Sequence, residues 1–172
     1  MLSRYLIPDY MFEHYDDVTP EFLTSIGVCA LLIDIDNTLA PYEQPTPDDR
    51  HRAWFAAMDA AGIRTALISN NHRERVDEFN TTLGREAYWH SAKPFGKTLK
   101  RVMKGWGVTK QQTAILGDQL LTDALAGKAL GLTVLIVPPI RDKKTAFVRF
   151  KRWFERPYIR AYQKKHSKEE RT

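Results

Sequence analysis

Short apolar runs alternate along the chain with longer segments in which apolar residues recur every three or four positions. The first run, residues 28–33, follows Gly27 and is rich in branched side chains, which is typical of a buried strand in a parallel sheet. The predicted strands are residues 28–35, 65–68, 87–89, 113–116 and 133–137. Segments of helical length separate them. The alternation predicts an α/β fold: a Rossmann-like, doubly wound parallel sheet of about five strands, with helices on both faces.

Capping residues mark the starts of several predicted helices. Thr19-Pro20 and Thr46-Pro47 each resemble an N-cap followed by a proline at the first helical position. Asn71, three residues before Glu74, predicts a capping box for a further helix. Residues 1–18 are aromatic without clean periodicity, so we expect an irregular arm there. The expected parts are an arm and short helix (1–27), a core (28–140) and a basic, aromatic C-terminal helix and tail (141–172).

Polar residues follow four of the predicted strands. They are Asp34 and Asp36, then Ser69 and Asn70, then Lys93, and then Asp118 and Asp123. The carboxyl ends of parallel strands meet at one edge of a sheet, so we expect these side chains to converge. Carboxylate oxygens suit Mg²⁺, whereas a hydroxyl and an amine suit phosphate. Taken singly, each residue has a plainer interpretation as a turn residue, a helix cap or a solvated charge; their joint placement favours a metal and phosphate site.

The same residues carry a resemblance to a known family. Asp34-Ile35-Asp36-Asn37-Thr38, Ser69, Lys93 and the segment from Gly117 to Asp123 resemble the four motifs of the haloacid dehalogenase (HAD) superfamily, over about residues 28–137. The first and last motifs and the chain length look most like the YqeG-like branch of the subclass IIIA phosphatases. That branch includes relatives that dephosphorylate phosphatidylglycerophosphate.

The resemblance implies an Mg²⁺-dependent phosphatase that forms an aspartyl-phosphate. The implied catalytic residues are Asp34 as nucleophile, Asp36 as general acid and base, and Lys93. The resemblance further implies Ser69, Asn70 and Lys93 as phosphate ligands, and Asp34, Asp118 and the carbonyl of Asp36 as metal ligands. Thr38 and Asp123 are implied as supporting residues. Each role also makes local chemical sense, because a carboxylate nucleophile divides hydrolysis into two easier steps. The intervals between the motifs leave no room for a cap domain. An uncapped site favours a substrate that is bulky or held on a surface.

Charge separates the C-terminal tail from the rest of the chain. Residues 141–172 contain 12 Lys or Arg and 4 Asp or Glu, a balance of +8, while the whole chain has a net charge of +5. The side chains of Phe147, Phe150, Phe154 and Tyr158 recur at helical spacing within it. Three interpretations stay open: the aromatic residues pack on the body, the tail lies on an anionic membrane surface, or it binds nucleic acid.

These features leave several functional alternatives. Phosphatidylglycerophosphate ranks first among substrates, because an uncapped site and a basic, aromatic tail suit a phosphate at a membrane face. A nucleotide or protein phosphate stays open, as does a non-catalytic protein that binds nucleic acid or ribosomes. No apolar stretch is long enough to span a bilayer, and the start lacks the features of a secretion signal. We therefore expect a cytoplasmic protein, able to work at the membrane surface; the sequence leaves its oligomeric state open.

Overall fold

The computed structural model describes residues 3–141, residue 153 and residues 155–164. Six strands form one parallel sheet in the order β1-β6-β5-β2-β3-β4. The strands are β1 (Tyr10–Met11), β2 (Ala30–Ile33), β3 (Arg64–Ile68), β4 (Glu86–Tyr88), β5 (Thr113–Gly117) and β6 (Thr133–Ile136). The helices are α1 (Ser3–Leu6), α2 (Pro20–Ser25), α3 (Asp49–Ala60), α4 (Arg73–Asn80), α5 (Lys97–Trp106) and α6 (Leu125–Leu130). The predicted α/β class and the parallel sheet are confirmed.

The centre of the sheet is β2, which pairs with β3 on one side and β5 on the other. All four of its residues are buried, as its uninterrupted apolar sequence predicts. Successive side chains of a strand point to opposite faces. Accordingly, Leu31 and Ile33 belong to one hydrophobic cluster with Phe55 of α3, whereas Leu32 belongs to a second cluster with Leu99 of α5. The sheet is therefore covered on both faces.

The sixth strand comes from the segment that we expected to be irregular. Tyr10 and Met11 pair with Leu135 and Ile136 of β6, at the edge of the sheet. The ring of Tyr10 meets that of Phe22 edge-on, with 5.0 Å between centroids. A two-residue strand is too short to show a period of two, so the expectation of an irregular arm over residues 1–18 was wrong at this point.

The predicted helix starts were only partly correct. Thr19 caps α2 and accepts a hydrogen bond from the backbone N–H of Phe22. The cap of α3 is Asp48 rather than Thr46. The capping box predicted at Asn71 does not form, because α4 begins after His72 and the Asn71 side chain is bonded elsewhere. That side chain belongs to the site described below.

The C-terminal residues within the described part of the chain pack on the body. Residues 155–164 are helical. Tyr158 and Ile159 lie against the second hydrophobic cluster, and the hydroxyl of Tyr162 accepts a hydrogen bond from the backbone N–H of Met11. These contacts favour the first of the three interpretations for this stretch. Phe147, Phe150 and Phe154 lie outside the residues whose side chains are described.

No helix within residues 3–141 and 155–164 combines the length and the apolar character that crossing a membrane requires. The intervals between the motifs are also short: only α3 and β3 lie between Thr38 and Ser69, and only α4 and β4 lie between Ser69 and Lys93. Within residues 3–141, the edge that carries the motifs has no inserted cap domain.

Candidate active site

The residues predicted to converge come from the carboxyl ends of four strands. Asp34 directly follows β2, Ser69 follows β3 and Asp118 follows β5, while Lys93 lies in the loop after β4. The buried ammonium of Lys93 joins three of these strand ends. Its Nζ lies 2.8 Å from Asp34 Oδ1 and 2.7 Å from Asp123 Oδ1, and it donates to the backbone carbonyl of Ile68 at 2.7 Å.

Three buried carboxylates form the acidic part of the site. Asp34, Asp118 and Asp123 each offer an oxygen within 4.8 Å of those of the other two. With Lys93 as their buried cationic neighbour, the group carries a formal charge of −2 when all three acids are ionised. An all-oxygen set with that charge fits a hard divalent cation such as Mg²⁺. Asp34 and Asp118 were predicted as ligands; Asp123, predicted as a supporting residue, belongs to the same cluster.

The acidic cluster changes the protonation of its members. Burial, reinforced by the charges of Asp123 and Asp36, raises the pKa of Asp34 to about 7, although Lys93 opposes the rise. For Lys93, burial alone would lower the pKa, but the carboxylates of Asp123 and Asp34 outweigh it and raise the pKa above its ordinary value. Lys93 is therefore a fixed positive charge beside the nucleophile predicted from the sequence.

Gly117 allows Asp123 to reach this cluster. A Cβ placed on Gly117 would overlap the carboxylate of Asp123. The segment from Leu120 to Ala124 is a π-helical turn, which carries Asp123 back toward β5. Its first backbone N–H, that of Leu120, donates to the buried carboxylate of Glu155 at 3.0 Å. The helical stretch 155–164 thus contacts the loop that carries the last motif.

The side chain of Asn70 holds the loop of Lys93. Asn70 Oδ1 accepts hydrogen bonds from Ser91 Oγ and from the backbone N–H of Lys93, both at 2.8 Å. Asn70 Nδ2 donates to the carbonyl of Lys93 at 3.0 Å. Ser69 is buried, and its Oγ accepts from the backbone N–H of Asn71 at 3.0 Å. The contacts of Asn70 indicate a part in placing Lys93, which the sequence prediction of a phosphate ligand did not include.

A tight turn after β2 begins at Asp36, the second acid of the first motif. Asn37 adopts a left-handed conformation with φ of 65°, which asparagine tolerates better than most residues. Its N–H donates to the carbonyl of Ala40 at 2.7 Å, and the N–H of Leu39 donates to the carbonyl of Ile35 at 2.9 Å. Thr38 is buried in this turn. The turn fixes the backbone on both sides of Asp36.

Asp36 has two partners that the sequence interpretation missed. Its Oδ1 accepts from Arg75 Nε at 3.0 Å, and its Oδ2 accepts from Asn71 Nδ2 at 2.9 Å. The sequence predicts Asn71 as a helix cap instead. For Arg75 a signal was present: it lies four residues before Phe79 and therefore shares the buried face of α4.

Comparison with known proteins identifies the family of the chain. A family described as haloacid dehalogenase-like hydrolase matches residues 9–131. The chain belongs to this family. It is also 33% identical to the probable phosphatase YqeG of Bacillus subtilis (strain 168) over 165 residues, which cover 96% of each chain. The family and the enzyme class predicted from the sequence are confirmed: the chain is a HAD-like hydrolase, similar over nearly its whole length to a probable phosphatase.

Solved structures with the same fold include two phosphatases. The cobalt-bound deoxy-D-mannose-octulosonate 8-phosphate phosphatase of Haemophilus influenzae is 16% identical, with a TM-score of 0.52, and the match covers 80% of this chain and 90% of that one. A probable YrbI family phosphatase from Pseudomonas syringae is 18% identical, with a TM-score of 0.53, and the match covers 84% and 95%. At such identities the likeness concerns the fold alone.

Proposed function

We propose that this HAD-like hydrolase is an Mg²⁺-dependent phosphatase that hydrolyses a phosphate monoester through an aspartyl-phosphate on Asp34. The observation that carries the proposal is the buried ammonium of Lys93, shared between Asp34 and Asp123 beside Asp118. A nucleophilic carboxylate must approach a negatively charged phosphate. Positive charge placed there in advance lowers the cost of that approach.

In the first step, an oxygen of Asp34 forms a bond to phosphorus while the bond from phosphorus to the leaving oxygen breaks. Asp36 gives its proton to that leaving oxygen. In the second step, Asp36 takes a proton from water, whose oxygen attacks phosphorus and releases Asp34 and inorganic phosphate. Ser69 holds the phosphoryl oxygens, the ammonium of Lys93 neutralises the negative charge of the transferring group, and Asn70 keeps the loop of Lys93 in place.

The metal would be held by the carboxylates of Asp34 and Asp118 and by the carbonyl of Asp36. When bound, it supplies positive charge that screens the nucleophile from the phosphate. Asp123 supports the site through its ion pair with Lys93. Thr38 supports it from the buried turn that follows Asp36.

For the substrate we propose a phosphate carried on a lipid, with phosphatidylglycerophosphate first. Large apolar side chains that are exposed within residues 3–141 lie in loops at the catalytic edge of the sheet: Tyr42 after β2, Trp89 after β4, Phe95 beyond Lys93, and Ile140 after β6. Phe95 is the most exposed of them, at 76%. Tyrosine and tryptophan are favoured where an apolar medium meets water. An uncapped site bordered by such residues suits work at the cytoplasmic face of a membrane.

A phosphate-release assay tests the reaction and the substrate together. Phosphatidylglycerophosphate in mixed micelles, a sugar phosphate, a nucleotide and a phosphopeptide are compared with and without Mg²⁺. We expect Mg²⁺-dependent release, fastest from the lipid, and loss of more than about 10³-fold in kcat for Asp34→Asn, since no nucleophile remains. Turnover by Asp34→Asn equal to that of the unmodified chain would refute the mechanism. If the nucleotide or the phosphopeptide reacts fastest, that compound class is the substrate and the lipid proposal is wrong.

A further inference from the structure

We propose that Arg75 and Asn71 are positioning residues that fix the carboxyl group of Asp36 for proton transfer. The inference rests on the proposed function, since it takes Asp36 as the general acid and base. The two side chains hold different oxygens of the same carboxyl group: Arg75 Nε is 3.0 Å from Oδ1, and Asn71 Nδ2 is 2.9 Å from Oδ2. Two donors on two oxygens fix both the position and the rotation of the group.

Arg75 is itself held rigidly. It is only 6% exposed, and its Nη1 donates to the carbonyls of Gln44 and Pro45 at 2.9 and 3.1 Å. The guanidinium also lies over the ring of Phe79, 5.3 Å from its centroid. An ion pair on a protein surface is weak partly because ordering a long side chain costs conformational entropy. The side chain of Arg75 is already ordered by its other contacts, so its ion pair with Asp36 adds little of that cost. It can therefore act as a fixed support for Asp36.

Asn71 connects Asp36 to the residue that is proposed to bind phosphate. Its backbone N–H donates to Ser69 Oγ at 3.0 Å, while its side chain donates to Asp36. Its carbonyl accepts from the N–H of His90, in the loop after β4. One residue thus sets the spacing between the proton donor and a phosphate ligand. Small errors in that spacing are costly in catalysis, because proton transfer needs hydrogen-bond contact with the leaving oxygen.

These two contacts leave Asp36 able to act. A carboxylate offers about four lone-pair sites, and the two hydrogen bonds occupy one on each oxygen. Either oxygen can still carry the proton that passes to the leaving group. The expected consequence concerns the substrate: a poor leaving group needs that proton, whereas a good one departs as an anion without it.

The experiment compares phenyl phosphate with p-nitrophenyl phosphate, which are similar in shape but differ in leaving group. The kcat/KM ratio is measured for each, because it reports the steps up to the first irreversible one and excludes later hydrolysis of the aspartyl-phosphate. In Arg75→Met and in Asn71→Ala, we expect kcat/KM for phenyl phosphate to fall about 10- to 100-fold, and that for p-nitrophenyl phosphate to change by less than about threefold. Arg75→Lys, which keeps a charge near Asp36, should lie between.

Arg73→Gln is the matched control. Arg73 lies on the same helix, but its side chain is exposed and pairs with Asp77, so both substrates should react as before. Asp36→Asn gives the limiting case, with the same selectivity and a larger loss. Adding Arg75→Met to Asp36→Asn should cost little more, since the two changes remove one function.

The outcomes separate this inference from the function on which it rests. Equal losses for both substrates in Arg75→Met and Asn71→Ala, with a selective loss in Asp36→Asn, would mean that the two residues serve the fold alone. That result overturns the positioning role and leaves the acid and base role of Asp36 standing. An unselective loss in Asp36→Asn overturns that role and the positioning role with it. Asn71→Ala removes no buried charge, so the test stands even if Arg75→Met does not fold.

Discussion

Lys93 and Asp123 form a fully buried ion pair, with 2.7 Å between Nζ and Oδ1. The pair connects the loop after β4 to the turn after β5, which lie on opposite sides of β2 and β3 in the sheet. Asp34 shares the same ammonium from its place at the end of β2. These buried ion pairs thus connect the three loops that carry the residues of the proposed reaction.

Removing that ammonium should destabilise the fold in a pH-dependent way. Lys93→Met leaves the buried carboxylates without their cation, at a cost of about 3–5 kcal/mol in the free energy of unfolding at pH 8. The pKa of Asp34 is already raised to about 7, and losing Lys93 raises it further, so Asp34 takes up a proton as the pH falls. The loss should therefore be smaller at pH 5 than at pH 8. Urea denaturation at both pH values measures the loss in the free energy of unfolding. Lys104→Met, at an exposed lysine, is the control. An equal loss at both values would contradict this account.

Divalent metal should stabilise the protein through the carboxylate cluster. At Mg²⁺ concentrations about 100 times the dissociation constant, binding to the folded state alone adds about 2.7 kcal/mol. The thermal midpoint of the unmodified chain should rise accordingly. Asp118→Asn, which removes a ligand without changing the volume, should respond far less. Asp49→Asn, at an exposed acid on α3, should respond like the unmodified chain. Full stabilisation of Asp118→Asn would place the metal elsewhere.

Gly117→Ala should disturb the site through its effect on Asp123. The added methyl group would overlap the buried carboxylate, which is held in place by its ion pair with Lys93. We expect a loss of about 1–3 kcal/mol in the free energy of unfolding, together with a fall in phosphatase activity. Gly105 provides the control: it lies inside α5, with open space where its Cβ would be. Gly105→Ala should stabilise the helix by about 0.5–1 kcal/mol. If Gly117→Ala also stabilises the protein, the close approach of Asp123 to residue 117 does not require glycine there.

Tyr15 should make the fold sensitive to alkaline pH. Burial raises the pKa of its phenol above the ordinary value of 10.0, and the charges of Asp16 and Asp48 add to the rise. Because the folded-state pKa is the higher one, the stabilisation is complete below pH 10 and is lost as the pH rises above it. Tyr15→Phe cannot ionise, so its stability should fall less between pH 9 and pH 11. Urea denaturation at the two pH values tests this, with the exposed Tyr42→Phe as control. If the stability of Tyr15→Phe falls as steeply as that of the unmodified chain, Tyr15 is not the source of the alkaline sensitivity.

Much of the central fold was predictable because its signals are local. Each buried strand is a short apolar run, and two of the helices have a side-chain cap in their own sequence: Thr19 for α2 and Asp48 for α3. The polar residues directly after β2, β3 and β5 were placed correctly at one edge, since parallel strands leave no other arrangement for their carboxyl ends. Tyr10–Met11 was missed because two residues give no periodicity; pairing with β6, over 120 residues later in the chain, makes them a strand.

The sequence by itself determined five strands of the sheet, the edge at which the candidate site lies and the presence there of Asp34, Lys93 and Asp118. Only the tertiary structure decided the partners of each side chain. Asn71 looked like a helix cap, and Arg75 looked like one more charge on a helix, yet both hold Asp36 across 35 and 39 residues of sequence. The physical reason is how far apart along the chain the interacting residues lie. Strand patterns repeat every two residues and helix patterns every three to four, so both can be recognised in a short segment. A buried hydrogen bond instead depends on which surfaces meet when the whole chain packs.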